Sequence, residues 1–155
     1  NADMIFEPLM ISAYSIAVKQ LYGPGYVLTG NSTEFLDPIF SSGVTFATES
    51  GILAGKLVSK QLKGEEVDWD LEYSTPILNG IEVFRTYIDS WYDGSLHKIF
   101  FSDAIDERVK KQICSVLAGY VWDKSNPFVA RHKQSISNLA RYLQEKEIDS
   151  RNNSF

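Results

Sequence analysis

Gly30-Asn31-Ser32-Thr33-Glu34-Phe35-Leu36-Asp37-Pro38-Ile39-Phe40-Ser41-Ser42-Gly43-Val44 joins the apolar run Tyr26-Val27-Leu28-Thr29 to a long segment with helical spacing that begins near Thr45. Glycine at either end permits backbone angles and close approaches that a Cβ would forbid. Asp37 followed by Pro38 reads as an N-cap with proline in the first helical position, which predicts one short helical turn. Ser41-Ser42-Gly43 ends that turn, and a second helix then begins. A strand, a shaped polar loop and a helix whose first free N–H groups face outward together suit an electron-rich ligand edge. The same residues also suit a plain strand-to-helix corner.

Gly30, Asp37, Pro38, Ser41, Ser42 and Gly43 stand in the order and spacing of Gly-Asp-Ala-x-x-x-x-Asp-Pro-x-x-Ser-x-Gly. In this the stretch resembles the second FAD-binding motif of the flavin-dependent halogenases and related flavoprotein monooxygenases. Asn31 stands where those proteins usually carry an aspartate that hydrogen-bonds an FAD hydroxyl; asparagine can still accept from a hydroxyl, without charge. The resemblance runs well from about Ser12 to Leu62 and loosely beyond, through Phe84-Arg85-Thr86-Tyr87 and Trp91-Tyr92-Asp93-Gly94.

The family's first motif, Gly-x-Gly-x-x-Gly between a strand and a helix, is missing, since Gly23-Pro24-Gly25 continues differently. Expected, therefore, is the C-terminal part of a longer flavoprotein.

Composition fits a packed chain: 155 residues, 44% hydrophobic, 23% charged. A net charge of −5 with scattered basic residues argues against a nucleic-acid surface. The single cysteine, Cys114, sits among Ile113, Val116 and Leu117 and reads as a buried, inert thiol. No apolar run reaches membrane-spanning length, and a cytoplasmic protein is expected.

Along the chain, Ile11 to Val18 reads as a strand, Tyr22-Gly23-Pro24-Gly25 as a turn and Tyr26 to Thr29 as a strand, with further sheet partners outside the chain. Val44 to Lys63 is the clearest helix, capped by Gly64. Its small residues Ala47, Gly51, Ala54, Gly55 and Val58 share one face, which reads equally as tight helix packing or as a flavin-facing surface. Glu65 to Asp70 forms an acidic connector pinned by Trp69 and Leu71, and Pro76 opens a helix from Ile77 to Tyr92. Leu96 to Phe101 reads as an irregular turn carrying Phe100 and Phe101 inward. Ser102 or Asp103 caps a helix to Val121 whose buried face includes Ile105, Val109, Ile113 and Tyr120. Asn126-Pro127 opens the last helix, with a frayed tail after Glu147.

The expected fold is mainly α with a few short strands: the C-terminal portion of an α/β, Rossmann-like FAD-binding fold (residues 1–64), a helical region (65–148) and a flexible tail (149–155). The resemblance implies an FAD-dependent oxidoreductase, with Gly30, Asn31, Asp37, Pro38, Ser42, Gly43 and Val44 as cofactor-binding residues. It also implies reduction of FAD, reaction with O₂ and oxygen transfer to halide or to an organic substrate. The amides of Ser42, Gly43 and Val44 would face the flavin, with a halide beside Ser42 and Gly43. Implied partners are a small-molecule substrate and a flavin reductase, and the chain could self-associate.

No catalytic residue is assigned. The family's relay lysine finds no counterpart, since Lys19, Lys56 and Lys60 read as solvated. His97 and His132 lack companions at ligand spacing, so no metal site is expected, and His132 reads as a solvated helix face. Glu34 reads as an exposed loop carboxylate. Phe84, Tyr87, Trp91, Tyr92, Phe100 and Phe101 could line a substrate cavity or form core. The competing reading is a non-catalytic helical interaction module that retains a degenerate flavin motif.

Overall fold

The computed structural model describes Phe6, Glu7, Leu9, Met10, Ser12 and residues 16–152. Four two-residue strands lead into a helical remainder. β1 (Ile16–Ala17) pairs antiparallel with β4 (Glu34–Phe35), Ile16 opposite Phe35 and Ala17 opposite Glu34. β2 (Tyr22–Gly23) pairs antiparallel with β3 (Tyr26–Val27) around Pro24-Gly25. Tyr22-Gly23 is thus hairpin strand rather than turn, because the tight turn needs only Pro24 and Gly25, the latter at φ +82°. Each described strand finds a partner inside the chain. Of the strand expected from Ile11 to Val18, Ile11, Ala13, Tyr14 and Ser15 lie outside the described residues.

α1 (Ser42–Leu62) starts two residues before the expected Val44 and ends at Lys63, with Gly64 at φ +85° beyond it. Its buried row is Ser42, Phe46, Ser50, Ala54 and Leu57. Of the expected small-residue face only Ala54 is buried, and a Cβ at Gly51 or Gly55 would meet nothing within 4 Å. Packing follows the Phe46-Ser50-Ala54 row, so the neighbouring Ala47-Gly51-Gly55 row points elsewhere.

The connector is shorter than expected. After Trp69 the backbone enters a π turn (Asp70–Ser74) that continues into α2 (Thr75–Tyr92). Pro76 lacks the N–H a regular helix would use there, and the wide turn precedes it. Trp69 is anchored, its Nε1–H donating to Gln61 Oε1 at 2.9 Å, whereas Leu71 is exposed. α2 supplies the centre of the core with Ile77, Ile81, Phe84 and Tyr87, each at most 2% exposed.

α3 (Ser95–Phe100) is a regular helix that buries Leu96 and Ile99, so Phe100 and Phe101 point outward instead of inward. α4 (Glu107–Leu117) is capped by Asp106, which accepts from Arg108 N at 2.7 Å, rather than by Ser102 or Asp103. It stops before Val121, leaving Tyr120 exposed, while Ile113 and Val116 are buried. Cys114 is exposed, not buried, because it lies about 100° around the helix from Ile113. Asn126 caps a single turn, α5 (Pro127–Ala130), which breaks at Arg131 before α6 (His132–Asn152). α6 buries Ile136, Ala140 and Leu143 against α3 and α2. Its backbone is helical through Asn152, and 153–155 lie outside the described residues. No described helix is long and apolar enough to cross a membrane.

Candidate functional site

After β3, Thr29 caps a 3-10 turn (Gly30–Ser32). Ser32 Oγ donates to Thr29 O at 2.6 Å and accepts from Thr29 N, and Thr33 Oγ1 donates to Gly30 O at 2.7 Å. Gly30 takes φ +56°, and a Cβ there would stand 3.2 Å from Ala47 Cβ. Its N–H donates to the buried Ser50 Oγ at 2.8 Å, and Ser50 in turn donates to Phe46 O. The loop is therefore seated on α1 through a helix hydroxyl that the sequence did not single out.

Asp37 behaves as its sequence predicts. Oδ1 accepts from Ile39 N at 2.9 Å, and Pro38 takes the first position of a 3-10 turn (Pro38–Phe40). The other carboxylate oxygen accepts from Tyr92 OH at 2.8 Å.

Ser41, at φ +53°, carries the left-handed residue between this turn and α1, and it gives α1 no side-chain cap. Ser42 is buried, whereas Gly43 and Val44 are exposed. Gly43 has ordinary helical backbone, so its role is space rather than conformation. A Cβ there would sit 3.3 Å from Asn31 Oδ1, which places Asn31 and Gly43 side by side. The first turn of α1 also holds no acidic residue. An anionic or electron-rich edge can thus approach uncapped N–H groups and a carboxamide. Beside the corner a groove of about 530 Å³ runs between Val44, Thr45, Thr48 and Glu49 on one side and the Ala118–Asp123 loop on the other, so the Glu49 and Asp123 carboxylates both line it. A groove of about 620 Å³ lies at the far end of α1, between the hairpin and Trp69, away from these amides.

Several surroundings differ from expectation. Glu34 is buried rather than exposed and is ion-paired with Arg85. That carboxylate holds the Arg85 guanidinium more firmly protonated, against the opposing effect of burial. Glu82 links Arg85, at 3.2 Å, to Lys133, at 2.5 Å, and hydrogen bonding from Lys133 pulls the Glu82 pKa down. His132 is half-buried, with Nδ1 2.8 Å from Thr86 Oγ1, and burial followed by Lys133 lowers its pKa. Lys60 pairs with Glu72 at 2.8 Å instead of being simply solvated; Lys19 and Lys56 are exposed. The aromatic group divides. Phe84 and Tyr87 are core, Trp91 stands edge-on to Phe40 at 5.8 Å and 3.9 Å from the His97 ring, and Tyr92, Phe100 and Phe101 are exposed. Among the described residues no cluster of three or more metal-ligating side chains occurs.

This mainly helical chain is similar to halogenases and to a solved flavoprotein. No family model matches the chain. It is 32% identical over 111 residues to the 1H-pyrrole-2-carbonyl-(peptidyl-carrier protein) chlorinase of Pseudomonas fluorescens, covering 70% of this chain and 24% of that protein. It is 44% identical over 52 residues to the tryptophan 2-halogenase of Chondromyces crocatus, covering 34% of this chain and 10% of that one. The crystal structure of a flavoprotein/dehydrogenase from Cytophaga hutchinsonii superposes with a TM-score of 0.86 at 53% identity, covering 94% of this chain and 36% of that chain. The chain is a relative of the flavin-dependent halogenases and spans about a quarter of the chlorinase's length. An oxidoreductase-type enzyme family is the setting, and the interaction-module alternative finds no support among these relatives.

Proposed function

We propose that the chain is the C-terminal, flavin-contacting and substrate-side part of an FAD-dependent oxidoreductase of the halogenase-like monooxygenase group. The observation that carries this reading is the open corner at Ser41–Val44, uncapped by side chains and flanked by Asn31, in a chain homologous to flavoproteins. What supports a fit to the cofactor is that Gly43 carries no Cβ beside Asn31, whose Oδ1 would stand 3.3 Å from one.

In this reading residues 1–64 belong to a Rossmann-like FAD-binding fold and 65–148 form the substrate-side helices. The first-turn amides of Ser42, Gly43 and Val44 would hold the cofactor's electron-rich edge and stabilise negative charge there. Asn31 hydrogen-bonds a cofactor hydroxyl. Gly30, Asp37 and Pro38 hold the loop in shape. FAD, when bound, supplies electron storage and activation of O₂, for oxygen transfer to halide or an organic substrate. A flavin reductase as electron donor and a cytoplasmic location belong to the same proposal, as does self-association of the chain.

The test is a full-length chimera in which this chain replaces the matching part of the Cytophaga flavoprotein. It should purify with flavin, and Gly43→Val should abolish flavin retention. A folded chimera devoid of flavin absorbance, or one in which Gly43→Val retains it, would overturn the reading.

A further inference from the structure

Glu34 is the one formally charged side chain among the described residues that are buried, and it lies inside the corner loop, between Asn31 and Asp37. Its strand offers little to hold it, because β4 is two residues long and pairs only with the two residues of β1. Ladders that short do not fix a loop by themselves. The Glu34 carboxylate instead meets Arg85 in the middle of α2, and Arg85 continues through Glu82 to Lys133 at the start of α6. Charges alternate along this row, and it runs from the loop across α2 to the start of α6. A buried ion pair rarely adds more stability than an apolar pair of the same volume; what it adds is directional, fixing one geometry over others.

We infer that Glu34 and Arg85 are positioning residues, whose ion pair, buried at its carboxylate end and half-exposed at its guanidinium end, lets α2 and α6 set the geometry of the corner that faces the flavin. This rests on the flavin reading of the corner, but the coupling itself can be measured without flavin. Removing Arg85 strands the buried carboxylate, whereas removing the Glu34 charge leaves Arg85 with Glu82 and water, so the Arg85 substitution has the larger effect.

Amide hydrogen exchange within the full-length chimera provides the test. In Arg85→Gln, exchange of the Gly30, Thr33 and Ser41 amides should quicken about tenfold or more. Glu34→Gln should do so by less, and Arg85→Lys should restore most of the protection. The Ile136 amide in α6 should hardly change. Unchanged loop exchange, equal loosening of loop and α6, or failure of Arg85→Lys to improve on Arg85→Gln would each overturn the inference. Flavin content of the chimera is read separately: a flavin-free chimera beside a responsive loop sinks the flavin reading and leaves the coupling standing.

Discussion

Between β1 and Ser41 the chain puts Leu21 into the core but is otherwise held mainly by single polar ties, whereas from α2 onward it is held mainly by area removed from water. The loop hangs on Gly30 N–H to Ser50, Asp37 to Tyr92, Glu34 to Arg85 and the Tyr73 hydroxyl to Leu28 O. The helices close over Ile77, Phe84, Leu96, Val116 and Ile136, each at most 1% exposed. Apolar burial is non-directional and tolerates small adjustments, while a hydrogen bond or ion pair fixes distance and angle. A surface that must present amides at a set position belongs to the second kind of construction. The helices behind it need only be firm.

The contrast can be broken most forcefully in the core. Phe84→Ala removes a fully buried ring that stands edge-on to Phe46 at 5.4 Å, and should cost about 3–5 kcal/mol in urea unfolding. A loss of less than about 1 kcal/mol would mean that the helical half is not held by packing. Ser50→Ala deprives the buried Gly30 N–H of its acceptor and should cost about 1–3 kcal/mol, with faster exchange at Gly30. Loss of stability without a change at Gly30 would remove Ser50 as the seat of the loop. Asp37→Ala forfeits an N-cap and the Tyr92 partner, for about 1 kcal/mol by thermal unfolding. Gly55→Ala should change stability in the opposite direction, a gain of about 0.5–1 kcal/mol, since its Cβ would meet nothing within 4 Å. A destabilised Gly55→Ala chain would show that this face of α1 is covered in solution.

The smallest effect is a dependence on pH. Burial lowers the His132 pKa below its ordinary 6.5, so the unfolded chain takes up a proton there more readily than the folded one. Stability from this group is complete above the unfolded value and declines as pH falls through it toward the folded value. His132→Gln should flatten the slope of unfolding free energy against pH just below 6.5, and an unaltered slope would assign it to other groups.

How much of this was legible depended on how local the cause is. The Asp37-Pro38 turn lay open because cap and capped amide are two residues apart. α1 and most of α2 were readable from apolar spacing, with Gly64 marking an end. Burial of Glu34 could not be read, since its partner is 51 residues away. Ser50 gave no signal for the same reason, its partner being 20 residues back. Cys114 was misplaced although the information was present, because Ile113 and Val116 already define a face that excludes it. Ser102 and Asp103 competed with Asp106 as caps, and only the fold separates three such residues so close together. The left-handed backbone at Ser41 was likewise invisible, since such angles are ordinarily left to glycine.

The π turn at Asp70–Ser74 has a consequence for the angular phase of α2. Ordinary helix advances about 100° per residue, and a wider turn advances less, so every side chain downstream is rotated relative to Tyr73 by an amount this turn sets. Tyr73 reaches back to Leu28, while Arg85 and Tyr92 reach to Glu34 and Asp37. Deleting Ser74 would leave every one of those groups in the polypeptide yet swing Arg85 and Tyr92 out of line with the loop they clasp.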